Sequence, residues 1–292
     1  MNYFLKRFLI QLTIMEKTIL GEDLEICRIL NGMWQVAGGH GQIDSQLAIQ
    51  DMEKYQKLGF TTWDLADIYG PAESLIGDFN KKTKDNFQAF TKFVPNPGPM
   101  SNSIVTYYIE ESLKKMNVKC IDLLQFHWWD YQDSSYLDAL QHLSKLQNEG
   151  KIKHLGLTNF DTKRIKIIIE KGFKIISNQI QYSILDQRPE KIMIPFFMKH
   201  GIKIITYGTL LGGFFSEKYL NVDEPTRADL TTSSLQKYKN MIDVWGGWQL
   251  FQELLELEDQ QLFLWLVRGE QATNINTQRI VDIICESRKR SQ

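Results

Sequence analysis

Between residues 59 and 207 the chain repeats one rhythm: a short apolar run of strand character, a polar loop, then a stretch whose apolar residues recur at helical spacing. Strands are expected at 60–64, 87–94, 121–126, 152–157, 175–180 and 202–207, preceded by one at 25–34. Helices are expected at 44–58, from Glu73, at 104–116, at 136–148, from an Asp161 cap to Lys171, and at 190–200. The strands at 121–126 and 202–207 are nearly unbroken in their apolarity, as strands covered on both faces are. Seven βα units joined by short loops predict an α/β protein, a (β/α)8 TIM barrel whose eighth βα unit is divergent or missing. An open doubly wound sheet is the other arrangement such a rhythm allows.

The rhythm fails after Gly213. Residues 214–248 are a long excursion with Pro225, a Thr-Thr-Ser-Ser run and Trp-Gly-Gly-Trp, and no strand-loop-helix unit follows. The segments 251–257 and 262–267 are apolar, and 279–292 reads as an amphipathic helix with a basic tail. The first fifteen residues place Lys6 and Arg7 inside an apolar stretch. Such a stretch allows a signal or transit peptide, but no small-residue cleavage site follows and serine is absent, so residues 1–20 are expected to be an extension and 21–292 one barrel domain.

Charge excludes some partners. Lys and Arg number 34 against 35 Asp and Glu, interspersed, which gives no footprint for nucleic acid or an anionic membrane. No apolar run reaches the ~18 residues of a membrane span. Cys27, Cys120 and Cys285 are far apart without Cys-x-x-Cys, which points to a reducing, cytoplasmic setting. No His-x-His or His-Glu-x-x-His pair argues for a catalytic metal, no Gly-x-Gly-x-x-Gly follows a strand, and no Gly-Lys-Ser/Thr is present.

Chemistry is expected at the carboxyl ends of the strands, where α/β folds place it. The strand at 60–64 runs into Asp-Leu-Ala-Asp-Ile-Tyr, two acids and a phenol, giving Asp64 and Tyr69. The next ends in Phe-Thr-Lys-Phe with Lys92, and the next in Leu-Leu-Gln-Phe-His-Trp-Trp-Asp with His127. Alternate strand residues share a face, so Leu123, Gln125 and His127 point together, as do Thr62 and Asp64. Taken singly each has an ordinary role: a turn aspartate, a packing tyrosine, a surface lysine, a satisfied buried histidine. Their coincidence at successive strand ends carries the reading.

In order and spacing, Asp64, Tyr69, Lys92 and His127 resemble the catalytic tetrad of the aldo-keto reductase superfamily. Gly-Leu-Thr-Asn-Phe at 156–160 is similar to that family's Gly-x-Ser-Asn-Phe, and Asn-Gln-Ile-Gln-Tyr at 178–182 to its sixth-strand cofactor segment. Tyr-Gly-Thr-Leu-Leu-Gly-Gly at 207–213 resembles the seventh-strand segment on which a nicotinamide stacks, and Gly-Met-Trp-Gln at 32–35 the first-strand turn. The resemblance spans about residues 24–256. It implies an NADPH-dependent reductase of aldehydes or ketones, with Tyr69 as general acid. Lys92 beside that phenol favours phenolate, Asp64 holds Lys92, and His127 polarises the substrate oxygen.

It also implies cofactor contacts from Met33, Trp34, Asp64, Thr158, Asn159, Gln179, Tyr207, Gly208, Thr209, Leu210 and Gly212. Substrate would meet Trp34, Tyr69, His127 and Trp128, with Trp129 beside them, so aromatic or apolar carbonyl compounds are expected. Past about Glu256 the family's Ile-x-Gly-x-Arg-type segment and Gln/Glu-x-x-x-Asn, which grip the adenosine and its 2′-phosphate, are not recognisable. The alternative is therefore a cofactor-sensing or accessory protein-binding barrel with little turnover. The sequence leaves the particular substrate and the oligomeric state open.

Overall fold

Strand β3 (Asn31–Gly32) opens a parallel sheet in which each later strand is laid beside the one before it: β4 (Thr62–Asp64), β5 (Gln88–Phe93), β6 (Ile121–His127), β7 (Ile152–Thr158), β8 (Ser177–Gln181) and β9 (Lys203–Tyr207). Ahead of it, β1 (Lys17–Leu20) and β2 (Leu24–Cys27) form an antiparallel hairpin. The structure, a computed structural model, describes residues 15–38, 43–83 and 85–256. The amphipathic tail and the segment 262–267 expected from the sequence lie outside the described residues, as does Cys285. The described residues group into two compact units: one runs to Ile180 and adds Ile192–Ile205, the other holds Gln181–Lys191 and the residues from Thr206 on. The sequential parallel order is that of a (β/α)8 barrel, seven strands of which lie among the described residues.

In the first unit the connecting helices are α1 (Ser45–Lys57), α2 (Ala72–Lys82), α3 (Asn102–Met116), α4 (Tyr136–Asn148), α5 (Thr162–Glu170) and α6 (Met193–His200). Their starts follow from capping chemistry: Asp44 accepts from the amides of Gln46 and Leu47, Ser101 from Ile104, and Asp161 from Arg164. The helix expected from Glu190 begins instead at Met193, because Pro189 lies in a separate 3-10 turn at Arg188–Glu190. Helix α2 meets the carboxyl end of α3 at Gly77, where a Cβ would stand 2.0 Å from the Lys115 carbonyl oxygen. Only glycine permits that approach.

The strand expected at 25–34 is two strands with different partners. Leu24–Cys27 pairs back on Lys17–Leu20, while Asn31–Gly32 pairs with Trp63 and Asp64. The expected boundary at residue 20 thus falls inside a hairpin, whose turn uses Gly21 at φ 69°. Leu20, Leu24 and Ile26 are buried with Phe90, Leu123, Ile176 and Ile205 on one face of the sheet, below the strand ends. On the other face Leu124, Phe126, Leu155 and Leu157 pack under α3, α4 and α5 with Ile109, Leu140 and Ile165. The inner apolar layer fills the lower part of the sheet and leaves the carboxyl ends to polar side chains.

The second unit has its own core: Leu211, Phe214, Tyr238, Ile242, Trp248 and Phe251. Two helices build it: α7 (Ser233–Trp245), inside the stretch expected as a long excursion, and α8 (Gly247–Leu255), which takes in most of the apolar segment 251–257. The Thr-Thr-Ser-Ser run is a helix start, since the Thr232 hydroxyl accepts from the Leu235 amide. At Gly208 and Gly212, with φ of 72° and 64°, a Cβ would fall 2.4 and 2.8 Å from the Tyr238 side chain.

Candidate active site

Parallel pairing sets the strand ends in one row: Asp64 lies beside Phe90, Lys92 beside Gln125, His127 beside Thr158, and Thr158 beside Gln179. With side chains alternating across each strand, Asp64, Lys92, Gln125, His127, Thr158 and Gln179 face the same way. Lys92 is 2% exposed and donates to Asp64 Oδ2 at 2.7 Å and to the Leu65 carbonyl at 2.8 Å. Gln125, fully buried, donates from Nε2 to the other oxygen, Asp64 Oδ1, at 2.6 Å. A buried carboxylate is tolerable only when its lone pairs are met by donors, and here a cation and an amide meet them.

Tyr69 lies on the loop between β4 and α2. Its ring centroid is 4.9 Å from Lys92 Nζ, and Trp34 approaches it edge-on at 5.0 Å. The loop is fastened to β5: the Asp67 amide donates to the Lys92 carbonyl at 3.0 Å, and the Asp67 carboxylate accepts from the Val94 amide at 3.1 Å. The Met33 amide donates to the Asp64 carbonyl, which brings the first-strand turn to the same place. His127 lies at the end of β6 with the Trp129 ring tilted against it, centroids 4.3 Å apart. The four expected residues are thus gathered at adjoining strand ends.

The electrostatics differ from the expectation that Lys92 draws Tyr69 toward phenolate. Burial, together with the charges of Asp64 and Asp67, pushes the Tyr69 phenol well above its ordinary value. Burial pushes Lys92 down, against the opposing pull of Asp64. The reason is geometric: the ammonium is paired with Asp64 at 2.7 Å, so the phenol faces an ion pair rather than a free cation. His127 is pushed down to about 4 by burial and by Lys92, so it is a neutral imidazole at neutral pH, able to donate one N–H. Asp67 is pushed up to about 6, first by burial.

A cofactor carboxamide would need donors and acceptors at the row's next positions. Thr158 is buried and its hydroxyl finds no hydrogen-bond partner among the described residues, while Gln179 is buried beside it. Asn159 takes φ 60° so that its amide can donate to the Gln179 carbonyl at 2.8 Å. Its own carbonyl accepts from Tyr131. An unmet hydroxyl at this height fits a polar ring substituent. In the second unit, Tyr207 carries Lys237 Nζ 5.2 Å from its ring centroid, and the Gly208–Gly212 turn follows it.

One expected substrate contact is overturned. Trp128 is 1% exposed, packed with Phe126 in the outer core, and its indole N–H donates to the carbonyls of Asp130 and Asp133. It follows His127 by one residue and so takes the opposite face. Trp129, 58% exposed and in tilted ring contact with His127, is the aromatic beside the site. Sequence reasoning missed Gln125 as a partner of Asp64 and Asp67 as the fastener of the loop. A polar residue in step with His127 inside an apolar strand was the available signal for the first. Among the described residues no cluster of three or more His, Cys, Asp or Glu could hold a metal, and no helix is long and apolar enough to cross a membrane.

A parallel βα fold with Asp, Tyr, Lys and His at its strand ends defines the class; the comparisons narrow it. The model of the Aldo/keto reductase family matches residues 28–261. NADH-specific methylglyoxal reductase of Escherichia coli is 25% identical over 264 residues, covering 80% of this chain and 80% of its own. Flagellar radial spoke protein 5 of Chlamydomonas reinhardtii is 28% identical over 235 residues, 65% of this chain, and the match spans only 44% of that protein. In fold, the glycerol dehydrogenase AKR11B4 from Gluconobacter oxydans superposes with a TM-score of 0.71 at 20% identity, over 93% of this chain and 95% of its own. This chain belongs to the aldo/keto reductase family.

Proposed function

We propose that the protein reduces aldehydes or ketones to alcohols with NADPH, Tyr69 delivering the proton. The observation that carries this reading is the buried Asp64–Lys92 pair beneath the Tyr69 ring, with a neutral His127 on the neighbouring strand. The family and its oxidoreductase relatives support carbonyl reduction in general. A bound nicotinamide supplies the hydride that reduces the carbonyl carbon. The chain's own part is to bind the carbonyl oxygen and protonate it. His127 donates an N–H to that oxygen and stabilises the negative charge that develops there. The Tyr69 hydroxyl then gives its proton to the same oxygen, and Lys92, paired with Asp64, lies 4.9 Å from the ring that carries the phenolate left behind. In alcohol oxidation the proton returns to Tyr69.

Met33, Trp34, Thr158, Asn159 and Gln179 are assigned to cofactor binding in the same proposal, as are Asp64, Tyr207, Gly208, Thr209, Leu210 and Gly212. Trp34 and Trp129 are assigned to the substrate wall. Relatives differ in nucleotide, as the NADH-specific reductase of E. coli illustrates by its name. Quenching of tryptophan fluorescence by NADPH and by NADH, followed by turnover of an aromatic aldehyde, tests the reading. Tyr69→Phe is expected to bind cofactor as wild type does and to lose reduction. Equal turnover by the variant would remove Tyr69 from the mechanism, and binding without turnover by wild type would favour the accessory-barrel alternative.

A further inference from the structure

We infer that Gln125 is a positioning residue of the reductase, holding Asp64 so that its second oxygen stays on Lys92. The inference rests on the proposed role of Tyr69 and extends it by one side chain. Three observations support it. Gln125 Nε2 donates to Asp64 Oδ1 at 2.6 Å while Lys92 Nζ donates to Oδ2 at 2.7 Å, so the carboxylate is gripped from both sides. Gln125 and Lys92 are register partners on β6 and β5, so both donors reach Asp64 from neighbouring strands. Gln125 is fully buried, and its Oε1 finds no hydrogen-bond partner among the described residues.

The last point argues against simple packing. A buried amide with an unmet acceptor costs folding free energy, and a methionine of nearly the same shape would avoid that cost. What methionine cannot do is donate. A carboxylate free to turn about its terminal torsion is not confined to one orientation, because that torsion is broad for aspartate. With Oδ1 fixed by the amide, Oδ2 is left on Lys92. The ammonium is thereby kept 4.9 Å from the Tyr69 ring centroid, and also on the Leu65 carbonyl. Gln125 touches neither the phenol nor the substrate in this scheme; it acts through Asp64.

The experiment is a double-mutant cycle on the full-length protein, with NADPH and an aromatic aldehyde. Gln125→Met is expected to lower kcat about 10- to 100-fold, the range for one hydrogen bond to a charged group. The aldehyde KM and the fluorescence-derived cofactor Kd are expected to stay within about twofold, since uniform binding is untouched. In an Asp64→Asn background the same substitution is expected to cause little further loss, because the two residues act as a unit. Gln125→Asn, which keeps a donor, is expected to recover part of the rate that Gln125→Leu does not. An unchanged kcat in Gln125→Met, or a loss that adds in full to that of Asp64→Asn, overturns the inference. In either case loss of turnover in Tyr69→Phe leaves the reductase reading standing. A wild-type protein with no turnover overturns both.

Discussion

The Nζ of Lys92 lies 4.9 Å from the ring centroid of Tyr69 while staying hydrogen-bonded to Asp64 at 2.7 Å. The lysine is almost wholly buried, so its charge is tolerated only because the aspartate answers it. Lys92→Met leaves the Asp64 carboxylate buried without its cation and is expected to destabilise the fold by about 3–5 kcal/mol. Asp64→Asn with Lys92→Met removes both charges and is expected to restore most of that stability, as judged by urea unfolding. Reduction is expected to stay down about 10²–10⁴-fold in both proteins, because neither holds a cation at the phenol. A double variant as active as wild type would show that the ion pair serves the fold alone.

Asp67 makes stability depend on pH in a calculable direction. Its pKa rises from 3.8 to about 6 in the folded chain, chiefly through burial. Between those values the folded state binds more protons than the unfolded state, so stability falls as pH rises from about 4 to about 6. Asp67→Asn keeps an acceptor for the Val94 amide and removes the charge. It is expected to stabilise the protein at pH 7 by about 1–3 kcal/mol and to do little at pH 4. The Asp67 charge also helps hold the Tyr69 phenol up, so the variant's alcohol oxidation is expected to reach its alkaline limb at a lower pH. Parallel unfolding at the two pH values checks the first effect, and a kcat profile the second.

Why some of this could be read from the sequence, and some could not, follows from what strand periodicity encodes. Alternation states which face a side chain takes, so Asp64, Lys92 and His127 could be set on one face before any contact was known. It does not state how far a side chain reaches. The grip of Gln125 on Asp64, 61 residues away, was therefore invisible even though Gln125 shares a face with His127. Alternation also places Trp128 opposite His127, on the face that packs into the outer core. The Lys17–Leu20 hairpin escaped because its partner, Leu24–Cys27, read as the start of a longer strand. The direction of the Tyr69 shift escaped because a cation's effect depends on whether a carboxylate already answers it.

The two neighbouring tryptophans are expected to separate cleanly. Trp128→Ala empties a core site and leaves the Asp130 and Asp133 carbonyls without their indole donor, so a loss of about 3–5 kcal/mol is expected. Aldehyde KM measured below the melting temperature should change little. Trp129→Ala alters an exposed ring and is expected to change stability by no more than about 0.5 kcal/mol. Its KM for an aromatic aldehyde should rise, since the ring on His127 is lost. The reverse pattern would return Trp128 to the substrate wall.

His127 provides the other pH handle. Its pKa falls from 6.5 to about 4 through burial and the charge of Lys92, so the folded state binds fewer protons than the unfolded state between those values. Stability is therefore expected to be lost as pH falls from about 6.5 toward 4, by up to about 3 kcal/mol, and His127→Gln should flatten that slope. Because the imidazole is neutral above about pH 5, it acts as a hydrogen-bond donor and imposes no limb on the reduction profile between pH 5.5 and 8. His127→Gln retains an N–H and is expected to keep more activity than His127→Ala, which should lose about 10²–10³ in kcat. If the alanine variant matches wild type, the substrate oxygen is held by some other donor, and His127 belongs with the packing around Trp129.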